Sequence, residues 1–176
     1  MTEISKEYAE ALFELARESS SEQEIYTALT ELKSIMNEYP EYTALLSAPS
    51  ISARKRELLA ERAFNGKVPD CVVSFLKLLC KNGRFGILEY CITEYELLYN
   101  EMNLIATARI VSAIPLSDSE KTEIIKRLEQ ATGKTIKAEY ESDEKILGGV
   151  VIYIDDKIID GSIRHSLNEI KDVIGK

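Results

Sequence analysis

Near Leu104 the apolar period of this 176-residue chain changes from 3.6 residues to 2, so one part must build helices and the other strands. Upstream, Ile4, Tyr8, Ala11, Leu12 and Leu15 keep the spacing of one helical face. Ser21 and Glu24, three apart, predict a capping box for a second helix that carries Ile25, Leu29, Leu32, Met36 and Tyr39 up to Pro40. A short helical segment with Tyr42, Leu45 and Leu46 precedes Pro49. Ser52 is read as the cap of a fourth helix with Leu58, Leu59 and Phe64, closed by Asn65-Gly66. Pro69, at a first-turn position, opens a fifth that buries Val72, Val73, Phe75, Leu76, Leu79 and Cys80, and Asn82-Gly83 stops it. A long sixth helix runs from Ile87 to Met102.

Downstream, Thr107 to Ala113 reads as a strand stopped by Pro115. Ser117 and Glu120 form a second capping box, opening a helix with Ile124, Ile125 and Leu128 inward and Gly133 at its end. Ile136, Ala138 and Tyr140 alternate with charged neighbours as a half-buried strand. Val150 to Ile154 and Lys157 to Ile159 make a hairpin across Asp155-Asp156, and Ser162 caps a last helix with Ile163, Leu167, Ile170 and Val173. The expected fold is mainly α with a smaller α/β part. An N-terminal six-helix bundle occupies residues 1–105 and a C-terminal α/β domain residues 106–176, in the order strand-helix-strand-hairpin-helix. No Gly/Ser linker joins them, which predicts a short, fairly stiff junction.

Charge narrows the function classes. The 22 Lys and Arg against 30 Asp and Glu give a net charge of −8, and residues 1–105 hold −6 of it. No nucleic-acid partner is expected, because phosphate neutralisation needs a clustered basic face. The longest uncharged run, Tyr42 to Ala53, contains Pro49 and is far shorter than the roughly 20 residues of a membrane span. The acidic, immediately amphipathic N-terminus shows no targeting segment. Cys71, Cys80 and Cys91 are odd in number, lack CxxC spacing and sit among apolar neighbours, which reads as reduced core residues of a cytosolic protein.

The catalytic vocabulary is thin. His165 is the lone histidine, follows Arg164 in the first turn of the last helix, and reads as solvent-facing. Asp155, Asp156 and Asp160 lack the alternation of a calcium loop, and turn and cap chemistry accounts for them, so no metal is expected. Gly148-Gly149 precedes a strand rather than a helix N-terminus, which favours a bulge or close backbone packing over a phosphate loop. Together these residues define the rival reading, a small phosphate- or metal-using enzyme. The basic run Arg54-Lys55-Arg56 reads as a solvated face, with a phosphate or partner site as the alternative.

The first helix is harder to dismiss. From Tyr8 to Ala16 it reads YAEALFELA, and its apolar arc exceeds what one core contact uses. Tyr8, Ala11, Leu12 and Leu15 can serve the bundle, which leaves Ala9, Phe13 and Ala16 on a flank. Either two neighbours of the same domain cover that flank, or it is a groove for a partner's amphipathic helix.

The chain resembles the δ subunit of the bacterial F-type ATP synthase, equivalent to the mitochondrial oligomycin-sensitivity-conferring protein. The resemblance rests on YAEALFELA, on Pro49-Ser50-Ile51 followed by Lys55, on Asn82-Gly83-Arg84 and on Ser112-Ala113-Ile114-Pro115-Leu116-Ser117. Most specific is Ile146 to Ile170, ILGGVVIYIDDKIIDGSIRHSLNEI. Leu147 and His165 depart from the usual pattern.

The resemblance implies a non-catalytic stator subunit without cofactor, a monomer within a hetero-oligomer. Its place would be peripheral, on the cytoplasmic face of the bacterial plasma membrane. It implies that an N-terminal helix of an α subunit docks between the first and fifth helices, here against Tyr8, Ala9, Leu12, Phe13, Ala16, Val72, Phe75, Leu76 and Leu79. It further implies that the C-terminal domain engages the b subunits of the peripheral stalk. Gly148, Gly149, Asp160, Gly161 and Ser162 are then the structural motif of that domain.

Overall fold

A computed structural model describes residues 3–143, 146, 148–154 and 157–161. These fall into two compact units that divide between Tyr99 and Asn100, ahead of the 105/106 boundary read from the change of period.

In the first unit the 3.6-residue period becomes α1 (Glu3–Glu18), α2 (Glu22–Glu38), α3 (Pro40–Ser47), α4 (Ala53–Phe64) and α5 (Asp70–Lys81). A 3-10 turn (Phe85–Ile87) then leads into α6 (Leu88–Met102). The core draws on all of them: Ala9 and Ala16 from α1, Ile25, Leu29 and Leu32 from α2, Leu46 from α3, Ala60 from α4, Val72, Leu76 and Leu79 from α5, and Tyr95 from α6. Breakers and caps set the ends. Pro40 sits in the first turn of α3, where its missing N–H costs nothing. After α5, Arg84 N–H reaches the Leu79 carbonyl at 2.8 Å and Gly83 N–H the Cys80 carbonyl at 3.2 Å, a Schellman stop with Gly83 at φ +67°.

Three local expectations change. Ser21 makes no side-chain cap to α2; its hydroxyl turns back to the Ala16 carbonyl instead. Pro69 is the N-cap of α5 rather than its first helical residue, and its carbonyl receives the Val72 and Val73 N–H groups. The basic run is split: Arg54 and Lys55 are exposed, but Arg56 is buried and donates to the Ala48 carbonyl (3.1 Å) at the end of α3. Arg56 thus adds a charged donor to a helix-terminal carbonyl that also accepts from the Ile51 N–H at 3.2 Å.

The second unit carries the period-2 strands. The sheet order is β2 (Thr135–Ser142), β1 (Ile105–Ser112), β3 (Val150–Ile154), β4 (Lys157–Asp160). β1 pairs parallel with β2, Ala108 opposite Ala138, and antiparallel with β3, Ile110 opposite Ile152. The parallel pair needs a crossover, supplied by α7 (Asp118–Thr132). Ala106, Ala108, Ile110, Ile136 and Ile154 meet Leu128 of α7 in one core, with Ile124, Ile125 and Leu116 packed against it. Asp155, Asp156, Ser162 and His165, and the last helix expected from Ile163 to Val173, lie outside the described residues.

The predicted capping box of α7 is present in both directions. Glu120 N–H donates to Ser117 Oγ, and Ser117 N–H donates to a Glu120 carboxylate oxygen at 2.8 Å. The Ser117 hydroxyl, which donates to the same carboxylate at 2.6 Å, and then the Ser117 N–H hold the Glu120 carboxyl below the ordinary glutamate value. A lowered folded-state value means that the contribution is complete above the unfolded glutamate pKa and is lost as pH falls through the folded one. Thermal melts at pH 7 and at roughly pH 3 should therefore show a smaller acid-induced loss of Tm for Glu120→Gln than for the wild type. Equal losses would exclude the box as a source of acid sensitivity.

Candidate functional site on the first helix

Helix α1 buries Ser5, Ala9, Leu12, Phe13 and Ala16. Ala9 and Ala16 are wholly inaccessible, because a side chain of one methyl lets neighbouring backbones approach. Phe13 meets the ring of Tyr95 edge-on, centroids 5.3 Å apart, and the Tyr95 hydroxyl donates to the Glu22 carbonyl at 3.3 Å. The flank read as a possible groove is therefore core.

The face assigned to the bundle is the one left open. Leu15 is 56% exposed, Ile4 38%, Ala11 is exposed and Tyr8 half-buried; of that set, only Leu12 is buried. Two apolar arcs lie side by side on this helix, and helical spacing alone does not choose between them. The informative signal is alanine at positions 9 and 16 around Phe13, together with Leu15 lying nearer the exposed Glu18 than Phe13 does.

Tyr8 ties the open stripe to α5. Its ring lies 6.3 Å from that of Phe75, nearly perpendicular. Its hydroxyl accepts from Asn82 Nδ2 (2.8 Å) and Arg84 Nη1 (3.3 Å), and the Arg84 guanidinium lies 5.8 Å from the ring centroid. The Asn82-Gly83-Arg84 stop thus also fixes the Tyr8 side chain. On α5, Val72, Phe75, Leu76 and Leu79 are buried within the unit. They are corrected from contact residues to support; Leu78, 44% exposed, and half-buried Cys71 are what α5 presents on its open side.

Reactive groups are muted. Burial pushes the Cys80 thiol up to about 11 and the Cys91 thiol up to about 12, so both stay protonated and act as small apolar core residues. Burial also raises Cys71. In the second unit Gly148 and Gly149 have φ of +133° and +86°, backbone that side chains disfavour. Gly161 N–H donates to the Val150 carbonyl at 2.9 Å, and a Cβ there would sit 3.2 Å from the same oxygen. Gly161 thus serves backbone approach at the β3–β4 ribbon, where Asp160 lies opposite Val151. No helix of the described residues is long and apolar enough to cross a membrane.

Among the described residues, α1 leaves an apolar stripe open at the surface. The description of the ATP synthase delta (OSCP) subunit family matches residues 4–174. The chain belongs to that family. A relative from Chlorobium phaeobacteroides named ATP synthase subunit delta is 36% identical over 167 residues, covering 95% of this chain and 92% of its own. Another of the same name, from Lachnoclostridium phytofermentans, is 35% identical over 171 residues, covering 94% and 91%. A chain of the Toxoplasma gondii mitochondrial ATP synthase hexamer has the same fold, with TM-score 0.75 over 99% of both chains at 14% identity. As a delta (OSCP) subunit this protein is a peripheral-stalk component of an F-type ATP synthase and is not itself catalytic.

Proposed function

We propose that this subunit joins the catalytic head to the b subunits of the peripheral stalk, so that rotor torque drives ATP synthesis instead of turning the head. The head contact is an N-terminal helix of an α subunit lying along α1 and α5, and the second unit receives the b subunits. The assembly sits on the cytoplasmic face of a bacterial plasma membrane. The observation that carries this reading is the stripe Ile4, Tyr8, Ala11 and Leu15, a helix-length row of apolar side chains left at the surface and tied to α5 through Tyr8 and Phe75. The α and b subunits are taken as partners on the family resemblance. Of the contacts first assigned on α1, Tyr8 is kept, and buried Ala9, Leu12, Phe13 and Ala16 give way to Ile4, Ala11 and Leu15. Tethering both interfaces through one chain raises the effective concentration of each, which suits a link that must hold under load.

The test is depletion and add-back. Stripping the chain from ATP synthase membranes should leave ATP hydrolysis running while proton pumping collapses, and adding the purified chain should restore pumping. Pumping that survives complete removal of the chain would overturn the proposal.

A further inference from the structure

The apolar stripe of α1 has a charged border. At 3.6 residues per turn, the order around the helix runs from buried Leu12 to Tyr8, then Leu15 and Ile4, then Ala11, and next Glu18, Glu7 and Glu14. All three carboxylates are exposed, and none forms an ion pair among the described residues, whereas Lys6 pairs with Glu10 on another side of the same helix. Glu7 to Glu18 spans eleven residues, about 16 Å, the same length as Ile4 to Leu15. The carboxylate row therefore runs beside the stripe, shifted three residues toward the helix C-terminus. On the other helix the outer border carries Asp70, Ser74 and Lys81, one charge of each sign.

We infer that the stripe accepts an amphipathic helix whose apolar face is edged, on the side next to α1, by lysine or arginine residues spaced over about three turns. The inference rests on the head-docking reading and adds the chemistry of the occupant. An acidic edge would meet three carboxylates of like charge, and a neutral edge would leave them without partners at the border of a drying interface. The spacing of Glu7, Glu14 and Glu18 (i, i+7, i+11) sets the matching cations on one face of the incoming helix. Charges at such a rim steer encounter and fix register, and salt screens them.

The test is a titration of the full chain with a synthetic peptide of the α-subunit N-terminal segment from the same organism, at about 0.02 M and about 0.5 M NaCl. The triple variant Glu7→Gln, Glu14→Gln, Glu18→Gln should bind about tenfold more weakly at low salt, equivalent to about 1.4 kcal/mol. It should match the wild type at high salt, with an unchanged circular dichroism spectrum. Ile4→Asp, which interrupts the stripe, should weaken binding at both salts. A triple variant equal to the wild type at low salt, with Ile4→Asp weakened, overturns the basic-edge inference and leaves the docking site standing. If neither variant weakens binding, the docking site itself is wrong and the inference falls with it.

Discussion

Phe13→Ala should lower the unfolding free energy of the helical unit by about 3–5 kcal/mol, the usual cost of emptying an aromatic core site. Phe13 is only 8% exposed, and its ring packs against Tyr95, which is fully buried between α1 and α2. Truncation removes the apolar burial and the edge-on ring contact, and it leaves a void that the rigid Tyr95 cannot fill, held as it is by its hydroxyl on the Glu22 carbonyl. Urea unfolding of the full chain, followed by far-ultraviolet circular dichroism, measures the effect as an earlier loss of helical signal. A change under 1 kcal/mol would place Phe13 outside the core and restore it as a surface residue. Phe13→Asp is for the same reason no probe of an interface: a carboxylate against Tyr95 would unfold the unit before any partner could report on it.

The sequence carried the element order because each boundary has its own local chemistry. Pro40, Asn65-Gly66, Asn82-Gly83 and the Ser117–Glu120 box stop or start helices through groups a few residues apart, and the structure places helix ends at each of them. Three features depended on how one element packs against another and were illegible. Which of two adjacent arcs of α1 faces inward depends on where α2 and α6 lie, since Tyr95 of α6 fills the space that Phe13 enters. The inward turn of Arg56 depends on the Ala48 carbonyl, eight residues away and on another helix. Ser21 forgoes its cap because its hydroxyl finds the Ala16 carbonyl. Period identifies a face, but only packing decides which face is inside.

Leu15→Asp should do the opposite of Phe13→Ala: keep the fold and lose the partner. Leu15 is more than half exposed, so its replacement should cost about 1 kcal/mol or less, mostly from lower helix propensity and a negative charge near the helix C-terminus. At a docked interface the balance reverses. A leucine buried there is worth about 1.5–3 kcal/mol, and the aspartate must also shed water beside the Glu14 and Glu18 carboxylates. Binding of the α-subunit N-terminal peptide should therefore weaken between about tenfold and more than a hundredfold, while Leu15→Met, similar in volume, should bind within a few-fold of wild type. Calorimetric titration beside a thermal melt reads affinity and stability in the same preparations. A wild-type melt with wild-type affinity would remove Leu15 from the interface. Full affinity in Leu15→Asp, alongside an Ile4→Asp that still binds, would move the head contact off α1 altogether. A helix can present two apolar faces only if something covers the second, and these two residues, two apart on α1, separate what folds the unit from what it holds.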